Sequence, residues 1–297
     1  MRGRIPALLS TVTPLITSIL FVGCSVGSLV GCGTQGFQTA SPTKAVGVDG
    51  PGAAATPDQT LPGGGGSGSG GGGGGANSEL LIERYQQRYA TLNDTHTKLV
   101  DNKGNGYEKL YGVRNLRAVL NGVVYRGGAN NSYNKYGKRD NRNPLPNVGL
   151  ENLCKEGFSN AVYLYSTNFS TAPKSWSCSS FHSEKSTLTY AQTSPYNDAG
   201  LKSMFAKIMT TIKDPSVGPV YLHCWNGWHA SGLVSALILR QFCNYSGDQA
   251  VSYWDLNTDG ANTDPAFVKI RKQIRDFKAF PEFKIDARTQ ALVCAGN

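Results

Sequence analysis

The sequence has no cluster of basic and aromatic residues of the kind that binds nucleic acid. Its 29 lysines and arginines outnumber 20 acidic residues and give a formal charge of +9, but they are scattered along the chain. A nucleic-acid-binding surface gathers its cations on one face and interleaves them with aromatic side chains. We therefore expect no nucleic-acid partner. The charge instead favours anionic substrates, membrane headgroups or cell-wall polymers.

The chain also lacks a long uninterrupted apolar run. Residues 6–23 are apolar, but the stretch is short for a spanning helix and contains serine and threonine. A short basic start precedes it, as in a targeting segment. Cys24 and Cys32 follow small residues, in FVGC and LVGC, and each resembles the acylated cysteine of bacterial lipoproteins. We expect residues 1–32 to be a signal peptide and lipoprotein anchor acylated at Cys24 or Cys32; an uncleaved anchor or an unlipidated signal peptide is the alternative.

That anchor predicts an extracytoplasmic protein of the bacterial cell envelope, bound to a membrane in the periplasm or at the cell surface. Residues 33–77 lack the apolar side chains that a core needs, and 63–75 is glycine broken only by two serines. We interpret 33–77 as a flexible tether with a root-mean-square length of about 35–40 Å. Nearly all aromatic and branched apolar residues lie in 78–297, which is long enough for one domain with a full core.

The folded part contains an odd number of cysteines. They are Cys154, Cys178, Cys224, Cys243 and Cys294. Structural cysteines of exported proteins pair in disulfides, so one thiol is left over as a candidate reactive group. Pairing Cys154 with Cys178 and Cys243 with Cys294 would leave Cys224 free, although other pairings are equally consistent with the sequence.

Apolar periodicity in this part predicts strands that alternate with helices. Strands are predicted over 161–165, 188–192 and 217–222, a hairpin over 116–125 that turns at Asn-Gly, and helices over 78–89, 148–154, 199–213, 233–242, 248–254 and 265–277. The 233–242 helix is apolar nearly all round and is therefore expected to be buried. Residues 166–185 are interpreted as a Ser/Thr-rich insertion. The alternation is typical of an α/β layer fold with functional loops at the carboxyl ends of strands.

Residues 223–232, His-Cys-Trp-Asn-Gly-Trp-His-Ala-Ser-Gly, lie between a predicted strand and the buried helix. Backbone N–H groups and the positive end of the helix dipole would converge beside Cys224. Both effects favour a thiolate and bind an oxyanion. We therefore predict an anion-binding loop with Cys224 as nucleophile; the alternative is a small buried apolar cysteine.

The loop resembles the signature loop of the protein tyrosine and dual-specificity phosphatases, in which His-Cys precedes five residues, an arginine, a serine or threonine, and a glycine. The matching positions are His223, Cys224, Gly227, Ser231 and Gly232. Residues 124–127, 149–157 and 162–164 follow the order of other segments of that family. The resemblance covers about residues 110–280. It implies an α/β fold with a phosphatase-like central sheet flanked by helices and the signature loop between a strand and a buried helix.

The resemblance also implies roles for individual residues. Phosphate would be held by the loop positions Trp225, Asn226, Gly227, Trp228, Ala230 and Gly232. Cys224 would attack phosphorus, and Ser231 would help the thiolate leave. Asp198 corresponds to the family's general acid, although a role in the first turn of a helix explains that carboxylate equally well. No cofactor is implied.

Ala230 stands where the family has its arginine. That arginine binds two phosphate oxygens with a bidentate fork, and losing a contact of this type costs about 10³–10⁵ in rate in other enzymes. His229 is adjacent and would be a shorter cation if protonated. The sequence leaves open whether Arg126, Arg271 or Arg275 supplies a guanidinium from elsewhere.

Three functions are therefore compatible with the sequence. The first is an exported cysteine-dependent phosphatase acting on a phosphorylated or otherwise anionic substrate. The second is a pseudophosphatase that binds such a ligand without turnover. The third is a cysteine hydrolase acting on a non-phosphate substrate, with His223 or His229 assisting Cys224.

Two further patterns have alternative explanations. Trp225 and Trp228 form either a packed lid or a stacking wall for a ring. Asp255, Asn257 and Asp259 occupy the first three ligand positions of a calcium loop, but its last position is Ala266 where a glutamate belongs. A polar turn explains this run as well, so no metal is expected; Asp255 or Asp259 could also replace Asp198 as the acid.

Overall fold

A computed structural model of the chain describes residues 74–130, 144–214 and 216–294. The predicted anchor, both candidate acylation sites and residues 33–73 of the predicted tether lie outside these ranges. Within them, no helix combines the length and the apolar character that crossing a bilayer requires. The first helix begins at Gly74 and so includes the last four residues of the predicted tether.

The described residues form one six-stranded sheet. Its strands are β1 (Val113–Leu120), β2 (Val124–Ala129), β3 (Asn160–Tyr163), β4 (Ser175–Ser180), β5 (Ser183–Gln192) and β6 (Val220–Cys224). They are arranged in the order β1-β2-β6-β3-β5-β4. The pairs β2–β6, β6–β3 and β3–β5 are parallel, whereas β1 and β4 pair antiparallel at the two edges.

Seven α-helices of the described residues flank the sheet. They are α1 (Gly74–Arg88), α2 (Asn147–Lys155), α3 (Asp198–Lys213), α4 (His229–Phe242), α5 (Gly247–Leu256), α6 (Val268–Asp276) and α7 (Ala287–Val293). The predicted α/β class is confirmed. Helix α4 is buried along nearly its whole length, as its apolar sequence requires. It packs against β1, β2 and β6 and against α5 and α6, and so fixes the position of the loop that precedes it.

Two elements were not predicted from the sequence. Strand β4 lies in the segment interpreted as an insertion, and α7 lies near the end of the chain. Strand β4 has the sequence SWSCSS and no buried residue, because it is an edge strand with a single hydrogen-bonded neighbour. A disulfide from Cys178 to Cys154 of α2 holds this edge, and a second one joins Cys243 to Cys294. This pairing leaves Cys224 as the free thiol among the described residues.

Candidate functional site

Cys224 is the last residue of β6 and lies directly before the loop that leads into α4. Its side chain is buried, with the residue only 2% exposed. The Cys224 Sγ lies 3.4 Å from the Oγ of Ser231, which is fully buried in the first turn of α4. The two groups that the loop pattern assigns to attack and to assistance of the leaving thiolate are therefore in contact.

Three successive loop carbonyls are held from β1 and β2. The Trp225 carbonyl accepts from the Ala129 N–H (3.0 Å), the Asn226 carbonyl accepts from Asn115 Nδ2 (2.8 Å), and the Gly227 carbonyl accepts from Arg126 Nη2. The peptides are trans, so each following N–H points opposite to its carbonyl. The N–H groups of residues 226–228 consequently face away from β1 and β2, as an oxyanion cradle requires.

Glycine allows this close approach of β2 to the loop. A Cβ on Gly128 would lie 2.5 Å from the Trp225 carbonyl oxygen and 2.6 Å from the Gly227 nitrogen, both backbone atoms. Gly227 itself has a φ of +80°, and a Cβ there would lie 2.6 Å from the carbonyl carbon of Gly127. Neither glycine can accept a side chain unless the loop moves.

We expect Gly128→Ala to weaken binding of inorganic phosphate by about 100-fold, because it displaces the loop while leaving the sheet in place. Calorimetric titration with phosphate measures the change, and circular dichroism verifies the fold. Gly247→Ala is the matched control, since its Cβ would meet nothing closer than 3.1 Å at the start of α5. Equal affinities for wild type and Gly128→Ala would show that the loop does not need this contact.

His223 is fully buried and neutral. Its Nδ1 lies 3.1 Å from the Cys224 carbonyl oxygen, which can only accept, so Nδ1 carries the proton. Its Nε2 then accepts from the Tyr190 hydroxyl (2.9 Å), which in turn accepts from the Leu145 N–H (3.0 Å). Burial lowers the pKa of His223 to about 3. The ring orients the backbone at Cys224 and has no nitrogen left for the thiol.

Both loop tryptophans have polar partners. Trp225 Nε1 donates to the Tyr163 hydroxyl (2.8 Å), and its ring lies 4.7 Å from the Tyr165 ring between centroids. Trp228 Nε1 donates to Asp259 Oδ2 (2.9 Å). Each ring remains partly exposed. The tryptophans are thus anchored by their nitrogens and present aromatic surface at the rim of the loop.

The carboxylate of Asp198 is exposed at the first residue of α3, where the neighbouring Asn197 caps the helix by accepting from the Gly200 N–H. The same segment carries Tyr196. Burial and the nearby Cys224 raise the pKa of the Tyr196 hydroxyl to about 12, with Tyr165 acting in the opposite direction. The residue is nevertheless 46% exposed. Tyr196 therefore offers a protonated hydroxyl at neutral pH on the segment where the family resemblance places an acid.

His229 does not supply the missing cation. Its Nε2 is hydrogen-bonded to the Ala261 carbonyl, and its ring stacks on Phe267 at 4.4 Å between centroids. Burial lowers the pKa of His229 below its usual value, so the imidazole is neutral at neutral pH. Ala230, the next residue, is fully buried.

The three arginines considered from the sequence bind protein atoms. Arg271 forms a salt bridge with Asp255, and Arg275 forms one with Asp248. Arg126 donates to the Gly227 carbonyl from beneath the loop. Arg126 is therefore the one of the three that touches the loop, and it does so through a carbonyl.

The calcium-like run is used for contacts within the protein. Asp255 binds Arg271, Asn257 Nδ2 contacts His96 Nδ1 at 2.9 Å, and Asp259 accepts from Lys98 at 2.7 Å. Burial acts to raise the pKa of Asp259, but Lys98 and Arg117 outweigh it and the net pKa is lowered. No group of three histidine, cysteine or acidic side chains placed to hold a metal occurs in the described part of the chain. Asp259 is thus an ionised partner of cations rather than a proton donor.

Sequence reasoning did not assign Asn115 or Tyr196 to the loop, and it named Arg126 only as one of three candidates to supply a guanidinium to the phosphate. Asn115 has a φ of +51° in the middle of β1, a conformation that asparagine tolerates better than most residues. Arg126 is charged within an otherwise uncharged strand. An asparagine or an arginine within a buried strand is therefore a sequence signal for a side chain that binds a neighbouring backbone carbonyl.

No protein-family model matches the sequence, and no curated protein matches it. Solved structures similar over 55% of this chain include P. aeruginosa TpbA, at 15% identity, 85% of that chain covered and a TM-score of 0.36. Tk-PTP in the active form has 14% identity, 98% coverage and a TM-score of 0.35. A TpbA variant in complex with pTyr has 13% identity, 91% coverage and a TM-score of 0.31.

Proposed function

We propose that this protein is an exported, cysteine-dependent phosphatase-like protein that binds a phosphorylated or other oxyanionic substrate at the Cys224 loop and hydrolyses it. One observation carries the proposal: a buried free thiol contacts Ser231 at the start of a helix, beside a loop whose carbonyls are turned towards β1 and β2. The N–H groups opposite those carbonyls provide an electrostatic cradle for developing negative charge.

The chemistry takes two steps. Cys224 Sγ attacks phosphorus, the bond to the leaving oxygen breaks, and that oxygen takes a proton from Tyr196, Asp198 or water. Water then attacks the cysteinyl phosphate, releasing inorganic phosphate and the thiolate. Ser231 donates a hydrogen bond to Sγ as the thiolate leaves. His223 keeps the peptide after Cys224 oriented during both steps.

A second candidate is binding without turnover. It is favoured by Ala230 and by the engagement of Arg126, Arg271 and Arg275 with protein atoms. Non-phosphate hydrolysis assisted by a histidine has no comparable support, because both ring nitrogens of His223 are hydrogen-bonded elsewhere and His229 Nε2 binds a carbonyl.

The proposal includes attachment to the bacterial cell envelope through Cys24 or Cys32. Mass spectrometry of the N-terminal peptide purified from membranes tests this part separately. An acylated cysteine as first residue is expected, and an unmodified peptide at both positions would contradict it.

Assay of the full-length protein on an aryl phosphate from about pH 4.5 to 7.5 tests the catalytic part. Cys224→Ser should abolish turnover. Ser231→Ala, which keeps the nucleophile, should retain a first-turnover burst and slow the steady state. Turnover that survives Cys224→Ser would overturn the proposal, whereas binding of vanadate by a wild type without turnover would favour the second candidate.

A further inference from the structure

Arg126 is a buried cation without a carboxylate partner. It lies in the middle of β2 and is 0% exposed. Nη1 donates to the Tyr253 hydroxyl (3.1 Å), and Nη2 donates to the carbonyls of Asn257 (3.1 Å) and Gly227. Its buried Nε has no hydrogen-bond partner, and within the described ranges no acidic side chain lies within ion-pair distance of its guanidinium.

Nearby charges do not neutralise it. Arg117 is its register partner on β1 and is also buried. Burial and the neighbouring Arg126 lower the pKa of Arg117 to about 10. The acidic partner of Arg117 is Asp259 at 3.0 Å, and Asp259 also pairs with Lys98. One carboxylate is therefore shared by Lys98 and Arg117, and it does not form an ion pair with Arg126.

The uncompensated guanidinium lies between the loop and α4. Besides its bond to the Gly227 carbonyl, its Nη1 is 3.4 Å from the position of a Cβ on Gly232, the residue after Ser231. It thus sits beneath the segment that joins Cys224 to Ser231. A charge buried at this depth acts through a medium of low dielectric, where it influences neighbouring charges strongly.

We infer that Arg126 is the positioning residue that makes this loop an oxyanion site in the absence of the family's arginine, and that the ligand is consequently an anion rather than a neutral ester or amide. Arg126 fixes and polarises the Gly227 peptide, so the Trp228 N–H is aimed and strengthened as a donor. Its two Nη atoms bind Tyr253, Asn257 and the Gly227 carbonyl, and its Nε is buried, so it acts through the loop and not on the ligand. The inference rests on the proposed function for the location of the site.

Asn115 provides an internal comparison. It holds the neighbouring Asn226 carbonyl in the same manner, but it is neutral. If the carbonyl contacts alone created the site, Asn115 and Arg126 would matter equally. If the buried charge also selects the ligand, loss of Arg126 should affect anion affinity more than loss of Asn115.

The test is the dissociation constant of orthovanadate and inorganic phosphate for the full-length protein, measured by calorimetry. Arg126→Met should weaken both by about 10- to 100-fold, as expected for loss of a charged hydrogen bond. Arg126→Lys should recover part of the affinity because it restores the charge. Arg240→Met is the matched control: Arg240 also donates to two backbone carbonyls, those of Ile274 and Arg275, but on the far part of α4. It should lower the melting temperature without changing the affinity.

The outcomes separate the two proposals. If folded Arg126→Met binds vanadate and phosphate as tightly as wild type, the role of Arg126 is overturned, while the proposed oxyanion-binding loop is not affected. If Arg126→Met and Arg126→Lys weaken anion binding equally, Arg126 contributes through packing alone, and the role of its charge is overturned. If Arg126→Met does not fold, Arg126→Gln, which keeps a polar side chain without the charge, is compared with Asn115→Leu: a stronger loss of anion affinity in Asn115→Leu would contradict the inference. A wild type that binds neither anion would overturn the proposed function and the inference together.

Discussion

Ala230→Arg is expected to raise the turnover of an aryl phosphate by about 10³-fold, the lower end of what an arginine contact to a transferring phosphoryl group contributes. Ala230 is the second residue of α4, one residue before Ser231, where the family resemblance places a guanidinium fork. Arg126 cannot perform this task because its Nη atoms are bonded to protein groups. The gain should therefore appear in kcat, while phosphate affinity changes far less.

Ala230→Met is the control for this experiment. A methionine side chain at this buried position is about as long as the aliphatic part of arginine but carries no charge. The variant therefore measures the effect of a larger side chain on the rate in the absence of a guanidinium. Steady-state kinetics on wild type and both variants give the comparison. A rise confined to the arginine variant is expected. Equal rates for the two variants would mean that the loop does not present position 230 to a bound phosphate.

The second large effect concerns acid stability. His223 has a folded-state pKa of about 3 against an ordinary value of 6.5, because burial disfavours its charged form. The unfolded chain therefore binds a proton that the folded chain does not bind between these values. The contribution of His223 is fully present above about pH 6.5 and is lost as the pH falls towards 3. It amounts to about 1.4 kcal/mol per pH unit, or about 5 kcal/mol over the whole interval.

Urea unfolding of wild type and His223→Gln at a series of pH values measures this contribution. Glutamine keeps a polar group that can accept from Tyr190 but does not titrate in this range. Carboxylates and other histidines act on both proteins, so the difference between the two curves isolates His223. Between about pH 6 and 4, the slope of this difference in unfolding free energy against pH should correspond to the uptake of about one proton on unfolding. Parallel curves would show that folding does not change the pKa of His223.

The sequence predicts the fold well where side-chain pattern and burial agree. The apolar 233–242 segment lies within the buried α4, and the stripe over 199–213 buries Leu201, Met204, Phe205 and Ile208 in α3. The Asn-Gly pair at 121–122 lies in the turn between β1 and β2. These elements depend on contacts that recur at regular spacing, and regular spacing is visible in a single sequence.

The supports of the loop could not be predicted in this way. Asn115 and Arg126 act through contacts 111 and 101 residues away along the chain, so no local spacing reveals them. Strand β4 gains its order from pairing with β5 and from the Cys154–Cys178 bridge, against a serine-rich sequence of low strand propensity. In each case the structure is determined by tertiary contacts and not by the propensities of the local sequence.

The burial of Cys224 has a consequence for the two disulfides. A free thiolate attacks disulfide sulfurs through a mixed disulfide, so a fifth cysteine would shuffle the other four wherever it could reach them. In the folded protein Cys224 is 2% exposed and contacts Ser231, whereas the two bridges lie at α2–β4 and between Cys243 and Cys294. The fold thus separates the two cross-links from the Cys224 thiol, so this thiol can exchange with them only in chains that have not finished folding.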